Sequence, residues 1–67
     1  MAESTTELII EHWRNLDGSS HFMWSLWQDG RRLEMGRPTG SADKAEQQGQ
    51  TWCAKSLGRK PDRVTRL

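Results

Sequence analysis

His21-Phe22-Met23-Trp24-Ser25-Leu26-Trp27-Gln28-Asp29-Gly30-Arg31-Arg32-Leu33-Glu34-Met35 is the stretch that decides the fold. The aromatic run 21–27 reads as a strand, and Arg31 to Met35 alternates in polarity as a second one. Asp29-Gly30 sits between them. A type I′ turn needs positive φ at both central residues, and this pair supplies it most readily. With that two-residue loop, Leu26 faces Leu33 and Trp24 faces Met35. Phe22, Trp24, Leu26, Leu33 and Met35 then share one apolar face. A three-residue loop would put Arg32 and Glu34 there instead, so the pattern selects the shorter loop.

Upstream, residues 7–15 admit two readings. Ser4-x-x-Glu7 has the form of a capping box, and Ile9, Trp13 and Leu16 fall at helical spacing. The strand reading takes Asn15-Leu16-Asp17-Gly18 as a type I turn with Gly18 as the bulge residue. It pairs Asn15 with Ser19, Leu8 with Leu26 and Ile10 with Trp24. Leu8 and Ile10 join the apolar face and Glu11 points away from it. One register satisfies two hairpins, and the strand is preferred on that ground.

Downstream, Gly36-Arg37-Pro38-Thr39-Gly40 reads as a loop. Ser41 has the character of an N-cap, and Asp43 favours the first turn of a helix. The helix is expected to run to about Leu57, with Gly58 as its C-terminal stop and Pro61 beyond. Ala42, Ala45, Gly49, Trp52, Cys53 and Ser56 line one side. The small residues Ala45 and Gly49 would let it lie close over Trp24 and Phe22. The expected fold is α+β: a three-stranded antiparallel meander packed on one C-terminal helix. Residues 63–67 form a short final strand or remain a tail.

Sixty-seven residues make one domain, read as an arm at 1–6, the core, and a basic end at 59–67. A chain this short buries only about 60% of its unfolded surface, so each large apolar residue counts. Four Trp, one Phe and no Tyr leave Trp to supply much of the core. Mean hydropathy is −0.92, yet the ordered apolar spacing argues against disorder. Cys53 is the lone cysteine, which excludes an internal disulfide and fits a reducing cytoplasm. The first seven residues have no basic region or apolar run, and no stretch is apolar enough to span a membrane.

Net charge is +1 but uneven. Eight acids against five bases leave residues 1–54 at −3. Lys55, Arg59, Lys60, Arg63 and Arg66 against Asp62 leave the end at +4. These five cations are the candidate nucleic-acid contacts, although the cations nearest the helix end also suit its dipole.

The open sheet face is expected to carry Ile9, Glu11, Trp13, Met23, Ser25, Trp27, Arg32 and Glu34, with Trp27 across from Arg32 as a cation–π pair. An apolar patch of this kind marks an interaction surface, where Trp and Arg are frequent anchors. The candidate binding residues are Trp13, Met23, Trp27, Arg32 and Arg14, and the expected partner is a protein or a second copy of the chain. No catalytic set, cofactor or metal site is expected. His12, His21 and Cys53 lack ligand spacing, Glu11 and His12 point to opposite faces, and Gly36-x-x-x-Gly40 is not followed by the lysine of a phosphate-binding loop.

Trp24-x-x-Trp27, Asp29-Gly30-Arg31-Arg32, Gly36 and Ser41-Ala42-Asp43-Lys44-Ala45 also resemble the plant AP2-type and phage-integrase arm-type DNA-binding domains over residues 21–57. The arrangement is similar as well to small bacterial and phage proteins of hairpin, helix and short last strand. The DNA-binding resemblance implies a sheet face entering the major groove, with Arg14, Trp27 and Arg32 at the matching positions. Glu11 and Glu34 on that face would oppose phosphate.

Overall fold

The computed structural model describes residues 4–67. Residues 1–3 of the expected N-terminal arm lie outside the described residues. The order is β1 (Thr6–Arg14), β2 (Ser20–Gln28), β3 (Arg31–Met35), α1 (Ala42–Leu57) and β4 (Arg63–Arg66). The sheet runs β3-β2-β1-β4, with β4 parallel to β1 and the other pairs antiparallel. The class is α+β. The antiparallel meander is completed by a fourth strand that makes the sheet mixed. Thr6 is not part of a loose arm, because it is buried and opens β1.

Both hairpins follow from their turns. Asp29 has φ 52° and Gly30 φ 82°, as the type I′ geometry demands. Gly18 has φ 91°, and the Asn15 and Ser19 backbones meet at 2.7 Å to close the bulged turn. The segment is a strand, Thr6–Arg14, and Leu8↔Leu26 and Ile10↔Trp24 are paired. Glu7 makes no capping box. It accepts instead from the Thr65 hydroxyl at 2.7 Å.

Ser41 caps α1 by accepting from the Lys44 N–H at 3.0 Å, and Gly58 ends it in the left-handed region. Leu8, Ile10, Trp24, Leu26, Ala45 and Cys53 form the core, with Phe22, Ala42, Trp52 and Leu57 packed around it. Each fully buried Leu or Ile contributes roughly 1.5–3 kcal/mol. A Cβ on Gly49 would stand 2.5 Å from a Leu8 methyl, which is why this helix position carries no side chain. Leu57, not Ser56, completes the buried side, and Ser56 is exposed.

One register differs from expectation. Trp27 pairs with Arg32 but Leu26 pairs with Glu34, so Leu33 is the extra residue of a bulge. Leu33 and Met35 stay out of the core, at 40% and 42% exposed. The slip brings Gly36 beside Trp24, whose carbonyl accepts the Gly36 N–H at 2.8 Å. A Cβ there would overlap the Trp24 indole at Nε1. The bulge exchanges Met35 for the one residue whose missing Cβ leaves room for the indole, a pairing of aromatic and glycine that supports sheets.

At the opposite edge, β4 is held by polar contacts. The Asp62 N–H bonds to Thr6 O at 2.8 Å, the Thr6 N–H to Asp62 Oδ2 at 2.8 Å, and the Leu67 N–H to Ile10 O at 3.0 Å. Arg66 reaches back to α1, at 2.8 Å from Asp43 and 3.0 Å from Glu46. These two carboxylates, Asp43 first, push the Arg66 guanidinium's pKa further up and hold it charged.

Candidate functional site

Alternation along β1 and β2 sends Leu8, Ile10, Trp24 and Leu26 under the helix. It sends Glu7, Ile9, Glu11, Trp13, His21, Met23, Ser25 and Trp27 to the other face. Arg32 joins from β3 opposite Trp27, and Met35 joins opposite Ser25. Arg63 and Thr65 join from β4, opposite Glu7 and Ile9. Glu34 does not belong there: paired with the buried Leu26, it lies on the helix side. The bulge therefore removes one acid from the open face and adds a methionine.

Ser25 is the centre of this face, at 3% exposure. Its hydroxyl accepts from Trp27 Nε1 at 2.9 Å, which pins the indole along the strand. Ile9, Met23 and Trp27 are half-buried, while Trp13 and Met35 are open to solvent. The carboxylates are engaged: Glu7 with Thr65, and Glu11 with Trp13 Nε1 at 3.0 Å. Arg32 sits across from Trp27 without a cation–π contact. Its Nη1 approaches the Met35 sulfur instead, at 3.9 Å.

Trp13, Met23, Trp27 and Arg32 thus share one surface. Arg14 does not. It follows Trp13 by one residue and takes the alternate, helix-side position at the exposed end of β1. Met35 is the member that sequence reading placed in the core, and the lone Gly36 after an alternating strand was the signal of a close approach that moves it. The basic end is dispersed rather than a patch. Arg59 donates to Thr6 Oγ1 at 2.6 Å and Ser4 O at 3.3 Å, and Arg66 is committed to Asp43 and Glu46. Lys55 and Lys60 are exposed on and after the helix, and Arg63 lies on the sheet face.

His12 stacks on Phe22 at 4.6 Å, on the face away from Glu11. Cys53 is fully buried; desolvation outweighs the opposing pull of Arg59, pushes the thiol pKa up and so disfavours the nucleophilic thiolate. Among the described residues no three His, Cys, Asp or Glu are grouped to hold a metal. No helix among them is long and apolar enough to cross a membrane. No family model, no curated protein and no solved structure matches the chain.

Proposed function

We propose that the chain is a small non-catalytic binding module that engages a protein partner, or a second copy of itself, through the open sheet face. One observation carries this reading. The helix covers a single face of the sheet, and the uncovered face carries Ile9, Met23, Trp27 and Met35 about a buried serine, with Trp13 further along β1. Contiguous apolar surface of this kind is costly to leave in water and marks interaction sites. The buried free thiol supports residence in a reducing compartment such as the cytoplasm.

The reading is tested by a photo-crosslinking residue at position 13 or 35, with Lys44 on the exposed helix surface as control site. Adducts with a defined protein, or with the chain itself, are expected from 13 and 35 only. Equal labelling from position 44, or none from the face, overturns it.

A nucleic-acid interface, with the DNA-binding resemblance behind it, is the second reading. It is favoured by one feature, the placement of Arg32 and Arg63 on opposite edges of the face once Glu34 has left it. Phosphate contact predicts affinity that falls linearly with log salt. No binding of duplex or single-stranded DNA or RNA at low salt ends this alternative.

A further inference from the structure

The helix side of the molecule carries a second concave surface, which meets the open face only at Met35. Between α1 and the β3 edge runs a groove of 850 Å³. Its floor is Trp24 and Trp52, whose rings are 6.1 Å apart. Gln47, Gln48, Thr51 and Lys55 form the helical wall, and Glu34 and the 36–39 loop form the other. Its size falls within the range of ligand clefts.

Two observations define what it takes. Trp24 is only 5% exposed, yet its Nε1–H has no acceptor among the described residues, whereas Trp13 and Trp27 donate to Glu11 and Ser25. Among the described residues no fully buried side-chain N or O lacks a partner, so this donor keeps contact with solvent. It lies against Gly36, in the groove lining. With no acceptor from the described residues, it is open to an acceptor from solvent or from an occupant of the groove. The second observation is charge. Arg37 and Lys55 border the groove without an ion pair among the described residues, while the one acid, Glu34, accepts from the Met35 N–H. The helix dipole accounts for Lys55 but not for Arg37.

We propose that this groove binds an extended acidic peptide segment of a partner. A peptide carbonyl accepts from Trp24 Nε1, apolar side chains rest on Trp52, and carboxylates meet Arg37 and Lys55. Gln47, Gln48 and Thr51 offer both donors and acceptors, as main-chain amides require. The peptide does not extend the sheet. The Leu33 bulge, Pro38 and the charged β3 side chains blunt that edge against strand addition.

The probe is an acetylated, amidated peptide of alternating Asp and Leu, with the matching Lys-Leu peptide as control. The readout is the indole N–H resonance of each tryptophan in the full chain. The acidic peptide is expected to shift Trp24 and leave Trp13 and Trp27 in place, and the basic peptide to shift none. Arg37→Glu with Lys55→Glu, both exposed sites that do not threaten folding, should weaken binding roughly tenfold. An unmoved Trp24 resonance at millimolar peptide, equal shifts with both peptides, shifts at Trp27 instead, or unchanged affinity in the double variant would each overturn the proposal.

Discussion

The two faces of this sheet are built from the same strands and obey different constraints. Under the helix, Leu8, Ile10 and Leu26 are explained by packing alone and Trp24 by packing of its ring: each is buried, and the glycines at 36 and 49 admit their neighbours. On the far side, Ile9, Met23, Trp27 and Met35 have no layer above them. Their apolar character serves no core, which is why the functional reading rests on them. One backbone irregularity, the bulge at Leu33, decides which residues fall on which side at β3.

The largest expected effect breaks the covered face. Leu26→Ala leaves a cavity costing about 2–5 kcal/mol. A domain this small has roughly 3–5 kcal/mol from its core, so the variant should be largely unfolded by circular dichroism without denaturant. Gly36→Val drives a side chain into the Trp24 indole and should cost about 1–3 kcal/mol in urea titration. Met35→Ser, one residue away on the open face, should stay within about 0.5 kcal/mol of the parent. That contrast between adjacent residues tests the bulge: a straight strand would reverse it.

Arg66→Ala sharpens the comparison at the β4 edge, where polar contacts replace packing. Its expected outcome is faster amide exchange at Leu67, whose N–H bonds to Ile10 O, with the β1–β2 amides unchanged. The smallest effect lies at the tip of the first hairpin. Asp17 accepts from the hydroxyl and N–H of Ser19, and these bonds, the hydroxyl first, hold its carboxyl below the usual range. A lowered folded pKa means that the contribution is present above the unfolded carboxylate pKa and fades as pH falls through the folded one. The Asp17 carboxyl carbon should therefore titrate at lower pH in the folded chain than in an unfolded peptide, by NMR.

What was legible in sequence was local. Asp29-Gly30, Gly18, Ser41 and Gly58 each fix a backbone conformation through their own chemistry, and they placed two hairpins and both helix ends. The β1–β2 register followed because a one-residue slip would bury Glu11. The bulge was not legible, because alternation in Arg31 to Met35 fits a straight strand, and the demand that overrides it comes from the indole of Trp24 over Gly36. The parallel placement of β4 was hidden for a related reason. Val64 offers little apolar signal, and the strand is held by Asp62, Thr65 and Arg66 reaching residues far along the chain. For the site, the pairing of Trp27 with Arg32 was readable, whereas Met35 and Arg63 reach the face only through those two non-local features.

The most direct test of the open face as a partner surface is methyl NMR. Met and Ile methyls are labelled and compared in buffer and in a concentrated cell extract. Selective broadening of Met23, Met35 and Ile9, with the core methyl of Ile10 unaltered relative to them, is the predicted result. Broadening spread evenly over buried and open-face methyls, or an open face unchanged by the extract, would contradict it.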